Sequence, residues 1–355
     1  MGIAVSVTAM VVIGTAVLFL RCKAQRVRVA TQRSSEYDQR LERSRLSNEI
    51  HREISRVIDD LPDEQRVGGR FEADSRELVF GSAVATVLPI ADFMCVDPRD
   101  VGQAQHAEDS GLAAMEAEFM AHGTEEDKEC FHYVRYGKTG DNKKQWPNGV
   151  LDDSREAGLS LESFLEHPNA REAQLTIGMV LALRLYTTAC YKSINNHLRG
   201  FDVDFQPRQL SAEQPHPLPI TVHLLTVAIG QLRAVEAKSQ TGANRRVTLW
   251  RGMRNVGVAD EFLSQGGAEK APMSTTRELE VAVRYSASAC SVLLKLETDS
   301  FRERGADLSF LSAFPGEAEV LYPPLTHLAP TSDKQIVKSD GGVEFAVIEV
   351  RPTFG

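Results

Sequence analysis

Several common catalytic and binding motifs are absent from the sequence, and each absence removes a class of function. There is no G-x-G-x-x-G dinucleotide fingerprint, no G-x-S-x-G nucleophile elbow and no H-E-x-x-H zinc motif. The five cysteines include no C-x-x-C pair, which argues against a disulfide framework and a structural zinc site. A net charge of −9 argues against a nucleic-acid-binding face. We therefore expect no metal site and no nucleic-acid partner.

Long apolar runs are also scarce, apart from one at the amino terminus. Residues 2–20 carry no charge, and as a helix they would span about 28 Å, close to the hydrocarbon thickness of a bilayer. Basic residues follow, with no acid before Glu36, so the positive-inside rule keeps residue 21 onward in the cytoplasm. We predict a single-pass membrane anchor at residues 1–20. The alternative is an export signal, which would make the protein secreted or extracellular.

Residues 21–70 and 71–155 carry no motif with assignable chemistry. The first segment is basic, and helical spacing over residues 36–61 predicts an amphipathic helix lying on its own domain, with a dimerising stalk as the alternative. In the second, an accessory region of unknown role, residues 78–80 and 84–90 resemble strands and residues 112–120 a helix. A Gly-Lys-Thr sequence at residue 137 is not a phosphate loop, because His132 replaces the required glycine.

From residue 156 onward the hydrophobic pattern becomes regular. It predicts helices over residues 172–199, 220–238 and 278–289, the first of them ended by Gly200. Short β-branched runs predict strands over residues 247–250, 291–296, 319–322 and 344–350. Helices first and strands afterwards indicate an α+β fold, with a helical lobe followed by a mainly antiparallel sheet.

Three short motifs in this half carry residues suited to chemistry at a sugar carbon. They are Arg251-Gly252, Ser274-Thr275-Thr276 and the pair Glu317 and Glu319. Residues i and i+2 of a strand share one face, so the two glutamates are expected side by side. One acid can stabilise an oxocarbenium-like centre while the other takes the proton of the nucleophile. An arginine can hold a pyrophosphate, and a following glycine lets a ligand approach the backbone.

The order of these motifs resembles the R-S-E signature of the arginine-specific mono-ADP-ribosyltransferases. APMSTT resembles the family's strand bearing S-T-S, and LSAFPGE resembles the loop that leads into its catalytic strand. The segment from Tyr186 to Arg199 resembles the family's Y-T…Y-x-x-I-N-x-x-L-R helix. The resemblance covers residues 156–355, and it implies a two-sheet β core and a catalytic domain that uses NAD+ as substrate.

The resemblance implies a role for each matching position. Glu319 is the catalytic glutamate, Glu317 the acid that gives arginine specificity, and Ser274 the serine that orients Glu319. The residues expected to contact NAD+ are Arg251, Gly252, Thr275, Thr276, Asn195 and Arg199, of which Asn195 and Arg199 have helix capping as an equal alternative. Phe314 matches an aromatic that meets the target protein, with a packed core side chain as the alternative. An arginine-bearing protein is thus the expected partner.

Two other functions are compatible with the same residues. An NAD+ glycohydrolase would use the same site with water as the acceptor. A membrane-tethered binding module on an inactive transferase fold is less favoured, because Arg251 and Glu319 are both present. Thr276 stands where serine is more common in the family, a change that keeps the hydroxyl.

Overall fold

The computed structural model describes residues 48, 50–57, 76–77, 89–136, 159–238, 246–288, 291–340 and 343–354. The predicted membrane anchor at residues 1–20 and the predicted strand at residues 78–80 lie outside these ranges. Residues 50–57 are helical, in agreement with the central part of the helix predicted over residues 36–61. The predicted boundary between residues 155 and 156 also falls outside the described part of the chain.

A lobe of nine helices fills the described sequence between residues 89 and 238. In chain order they are α1 (Ile90–Phe93), α2 (Pro98–Gln105), α3 (Leu112–His122), α4 (Glu125–Tyr136), α5 (Leu161–Leu165), α6 (Pro168–Glu172), α7 (Ile177–Tyr186), α8 (Tyr191–Arg199) and α9 (Pro219–Lys238). Helix α7 is the centre of this lobe, and each of its ten residues but Ile177 is buried. Helix α9 is long and apolar enough to cross a membrane by length and composition. Its buried side chains, among them Val222 and Leu225, belong to the core of the lobe.

The single helix predicted over residues 172–199 is wrong, because hydroxyl groups divide that stretch. Thr176 caps the start of α7 by accepting a hydrogen bond from the Met179 amide at 3.4 Å. At the other end, the Thr187 and Thr188 hydroxyls donate to the carbonyls of the preceding turn at 2.8 and 2.6 Å. Threonine hydroxyls compete in this way with the helical backbone bonds. The predicted stop at Gly200 is confirmed, since Gly200 has φ +88° at the end of α8.

The helices of residues 89–136 share one core with α7 and α9. Met115, Phe119 and Phe131 are buried in the same cluster as Met179 of α7. Glu118 of α3 also accepts hydrogen bonds from the Ile220 and Thr221 amides, at 2.6 and 3.1 Å, so it caps the first turn of α9. The helix predicted over residues 112–120 is confirmed by α3. By contrast, Ile90 begins a helix and is not the last residue of a strand over residues 84–90.

The second half of the chain forms the sheet, with two helices against it. Its strands are β2 (Val247–Arg254), β3 (Val256–Gly257), β4 (Gly267–Glu269), β5 (Met273–Thr276), β6 (Ser291–Thr298), β7 (Ala306–Asp307), β8 (Glu319–Tyr322), β9 (Thr326–Pro330), β10 (Gln335–Lys338) and β11 (Glu344–Thr353). The helices are α10 (Asp260–Gln265) and α11 (Leu279–Ser286). A short strand, β1 (Arg76–Glu77), pairs with β3 in parallel. The four predicted strands and the predicted helices at residues 220–238 and 278–289 are all found, with ends that differ by a few residues.

The sheet is mixed and mostly antiparallel, and its strands follow the order β4-β9-β11-β6-β2-β5-β8-β7 with β10 on β11. The pairing of β11 with β6 is parallel, and the remaining pairs of this sheet are antiparallel. Hydrogen bonding therefore makes one nine-stranded path where two sheets were expected. The path is weakest between β2 and β5, which are paired only at Trp250 and Thr276. We call this junction the seam.

Candidate active site

Glu319 is the first residue of β8 and lies beside Ser274 of the neighbouring strand β5. The Ser274 hydroxyl donates a hydrogen bond of 2.6 Å to Oε1 of Glu319, whose side chain is buried. Burial raises the pKa of Glu319 to about 7, the Ser274 hydrogen bond opposes that rise, and the charge of Glu317 adds to it. A carboxylate with this pKa is held in place and gains or loses its charge near neutral pH.

Glu317 does not share a strand with Glu319, so the side-by-side placement by strand alternation is wrong. Glu317 ends a 3-10 turn, Pro315–Glu317, and Ala318 has φ +47° in the left-handed region, so the chain bends between the two acids. They are nevertheless close, since the charge of Glu317 is felt at Glu319. The Thr276 hydroxyl fixes the bend by donating to the Glu317 carbonyl at 2.6 Å.

Arg251 of β2 lies across the seam from Ser274. Its Nη1 donates to the Ser274 carbonyl at 2.9 Å, so the arginine, the serine and Glu319 form one connected group. The three residues come from three strands that are neighbours in the sheet order. The sequence predicted these residues as a functional set, and the structure brings them together.

Arg251 also shares a buried carboxylate, Glu269, with Arg199 of α8. Arg199 donates two hydrogen bonds of 3.0 Å to the two oxygens of Glu269, whereas Nη2 of Arg251 lies 3.8 Å from Oε2. Burial alone would raise the pKa of Glu269, but the two guanidinium groups outweigh it and lower that pKa. Two cations against one anion leave a net positive charge, which suits a pyrophosphate. Sequence patterns missed Glu269, because no motif surrounds it.

Asn195 and Tyr186 lie beneath this group. The Asn195 amide donates to the Tyr186 hydroxyl at 3.1 Å, and that hydroxyl donates to the Pro272 carbonyl at 2.8 Å. Oδ1 of Asn195 is buried and has no hydrogen-bond partner among the described residues. A buried acceptor without a partner is costly, so Oδ1 is suited to accept a hydrogen bond from a bound ligand. Neither Asn195 nor Arg199 caps its helix, which ends at Gly200.

Three of the predicted NAD+ contacts have structural roles here. The Thr275 hydroxyl donates to the Val320 carbonyl at 2.7 Å, and the Thr276 hydroxyl is engaged with Glu317. Gly252 was expected to admit a ligand to the backbone, but a Cβ there would lie 1.8 Å from the Ala282 carbonyl oxygen. Its close neighbour is therefore helix α11. Phe314 is half-buried at the start of the 3-10 turn, and its contact with a target protein stays a prediction.

Replacing Gly252 with alanine is expected to lower the free energy of unfolding by about 1–3 kcal/mol, as overpacking does. The new methyl group would displace α11, because the atom that it meets belongs to that helix's backbone. The matched control is Gly230→Ala on the exposed side of α9, where a Cβ meets nothing within 4 Å. That change should stabilise the helix by roughly 0.5–1 kcal/mol. Urea denaturation of both variants makes the comparison, and equal stability of the two would contradict the packing described.

The loop before the 3-10 turn is held by helix α7. The Thr187 hydroxyl accepts a hydrogen bond from the Ala313 amide at 2.9 Å, and Nη1 of Arg184 donates to the Leu311 carbonyl at 2.6 Å. These contacts place Glu317 relative to the helical lobe. Among the described residues, no group of three or more histidine, cysteine, aspartate or glutamate side chains could hold a metal ion.

Comparison with known proteins identifies the second half of the chain. Residues 168–342 match the family model described as ADP-ribosyltransferase exoenzyme. No curated protein sequence matches the chain.

Solved structures of ADP-ribosyltransferases are also similar to the chain. HopU1 of Pseudomonas syringae pv. Tomato DC3000 is 21% identical over 64% of this chain and 97% of its own, with a TM-score of 0.39. Exoenzyme S from Pseudomonas aeruginosa, solved with human 14-3-3 protein beta, is 20% identical over 56% of this chain and 86% of its own, with a TM-score of 0.36. The eukaryotic mono-ADP-ribosyltransferase ART2.2 is 12% identical over 78% of this chain and 92% of its own, with a TM-score of 0.37.

Proposed function

We propose that this chain, an ADP-ribosyltransferase by its residues 168–342, transfers ADP-ribose from NAD+ to the guanidinium group of arginine residues in a target protein. The observation that carries the proposal is the second acid, Glu317, beside the buried Glu319. NAD+ cleavage needs one carboxylate at the sugar, whereas a guanidinium acceptor needs a base as well.

In the first half of the proposed reaction, the bond between the ribose carbon and the nicotinamide nitrogen breaks. Its electron pair leaves with nicotinamide, and positive charge develops on the ribose. Glu319, fixed by Ser274, stabilises that charge. Arg251 and Arg199 hold the pyrophosphate, because they surround a single carboxylate and retain a net positive charge.

In the second half, a guanidinium nitrogen gives its electron pair to the same ribose carbon. A guanidinium has a pKa above 12 and is a poor nucleophile until it loses a proton. Glu317 accepts that proton and passes it to solvent, so the products are ADP-ribosyl-guanidinium, nicotinamide and one proton. The half-buried position of Glu317 in the turn leaves it open to an acceptor from outside.

The test compares Glu317→Gln with the unsubstituted full-length chain, using labelled NAD+ and agmatine as the guanidinium acceptor. The unsubstituted chain should label agmatine, and Glu317→Gln should lose about a hundredfold or more of that rate, as expected for a general base. Nicotinamide release without acceptor should stay within a fewfold. Glu344→Gln, at an exposed pair with Lys338, is the matched control and should behave as the unsubstituted chain.

Two outcomes would contradict the proposal. Release of nicotinamide by the unsubstituted chain with no labelled acceptor would make the protein an NAD+ glycohydrolase. Neither release nor labelling from a folded protein would indicate a binding module. We further propose, from residues 2–20 alone, that the chain is anchored in a membrane with this domain in the cytoplasm, which fractionation of the full-length chain would test.

A further inference from the structure

Tyr285 makes the shortest side-chain contact to the proposed acceptor acid. Its hydroxyl donates a hydrogen bond of 2.5 Å to Oε1 of Glu317, a residue 32 positions later in the chain. The side chain of Tyr285 is 53% exposed, which is unusual for a large aromatic residue with no core to fill. Oε2 of Glu317 has no hydrogen bond from the described part of the chain.

The contact is set up by the fold and not by flexible surface side chains. Helix α11 buries Ala282, Val283 and Ser286 against the sheet, and it approaches β2 closely at Gly252. Tyr285 lies in the last turn of this helix. Its backbone is therefore fixed by packing that is independent of Glu317, so the phenol is aimed at the turn before any acceptor arrives.

We propose that Tyr285 is a positioning residue for the acceptor step, whose hydroxyl holds the Glu317 carboxylate with one oxygen turned to receive the proton of the incoming guanidinium. The inference rests on the proposed arginine transfer. An ionised carboxylate accepts at both oxygens, and the phenol uses only Oε1. Oε2 is left for the acceptor.

The electrostatics of the pair support this role. Burial raises the pKa of Tyr285, and the charge of Glu317 raises it further, so the phenol remains a proton donor. Burial also raises the pKa of Glu317, and the Tyr285 hydrogen bond opposes that rise. The other titratable groups felt at the phenol are Tyr191 at the start of α8 and Glu319 on β8. Tyr285 therefore favours the form of Glu317 that can accept a proton.

The decisive variant is Tyr285→Phe in the full-length chain, because it removes the hydroxyl and keeps the ring. Transfer to agmatine should fall roughly tenfold to a hundredfold, as for a lost hydrogen bond to a charged group. The rise of the transfer rate with pH should move up by about one pH unit. Hydrolysis of NAD+ without acceptor, and the KM for NAD+, should change less than about twofold.

Two further variants separate positioning from a general structural effect. Tyr136→Phe is the matched control, since Tyr136 is also exposed and its hydroxyl contacts Glu116 at 3.3 Å in the helical lobe. It should leave transfer and hydrolysis unchanged. In the double variant Tyr285→Phe with Glu317→Gln, transfer should fall no further than in Glu317→Gln alone, because the hydroxyl acts through that carboxylate.

The outcomes distinguish this inference from the function on which it rests. If the unsubstituted chain labels no guanidinium acceptor, the arginine transfer fails and the role of Tyr285 fails with it. If agmatine is labelled but Tyr285→Phe keeps the original rate and pH profile, only the role of Tyr285 is overturned. A parallel loss of transfer and hydrolysis would also overturn it, since Tyr285 would then support the whole site.

Discussion

Replacement of Glu319 by glutamine is expected to slow nicotinamide release by about a hundredfold to a thousandfold, the usual loss when one preorganised electrostatic group is removed from a transition state. Glutamine keeps the shape of the side chain and can still accept the hydrogen bond from Ser274. It cannot supply the negative charge that stabilises the ribose cation. Single-turnover release of nicotinamide from labelled NAD+ measures the effect, both with and without agmatine.

The pH dependence of the unsubstituted chain gives the control for this result. Because the pKa of Glu319 is about 7, the carboxylate is largely protonated below that pH and charged above it. Nicotinamide release should therefore rise with pH through about 7 and then level off. Ser274→Ala should move the rise to higher pH, since the lost hydrogen bond had lowered the pKa. A Glu319→Gln variant that kept most of the activity would remove Glu319 from the chemistry.

Replacement of Glu269 by glutamine is expected to lower the free energy of unfolding by about 3–5 kcal/mol, the cost of breaking a buried ion pair by removing one partner. Arg199 and Arg251 would then lie close together with no anion between them. Urea denaturation, with and without NAD+, is the measurement. A bound pyrophosphate would restore negative charge, so NAD+ should stabilise the variant more than the unsubstituted chain.

The sign of the pH effect follows from the lowered pKa of Glu269. Its stabilising contribution is present above the pKa that it has in the unfolded chain, and it is lost as the pH falls through the lower folded value. Acid should therefore destabilise the unsubstituted chain more than Glu269→Gln. The exposed pair of Lys338 and Glu344 is the reference, and Glu344→Gln should cost less than about 1 kcal/mol. A similarly small loss for Glu269→Gln would contradict the proposed charge balance.

Sequence patterns predicted the parts of the site that follow local rules. Arg251, Ser274 and Glu319 each belong to strands that the composition indicates, and motif order was enough to group them. The bend at Ala318 could not be predicted, because a left-handed alanine is unfavourable by itself and is held by surrounding contacts. Glu269 and Tyr285 were missed for a related reason, since their partners are distant in the chain and no spacing rule relates them.

The break within residues 172–199 shows the same limit in the helical lobe. Apolar spacing continues across Thr187, so the hydrophobic pattern predicts one helix. The Thr187 hydroxyl ends α7 locally and accepts a hydrogen bond from Ala313, which is 126 residues away. A side chain with both a local and a distant partner can be assigned only when the distant partner is known.

The seam between β2 and β5 makes the active site the place where the cooperativity of unfolding is decided. One backbone pair, Trp250 with Thr276, joins the two halves of the sheet, and the Arg251 guanidinium is a second link across it. Elements with few shared hydrogen bonds can open separately from the rest of a protein. A ligand that engages Arg251 on one side and Glu319 on the other would therefore tie two potential unfolding units into one. Amide hydrogen exchange in β5 and β8 would slow when NAD+ binds, even at positions that the ligand never touches.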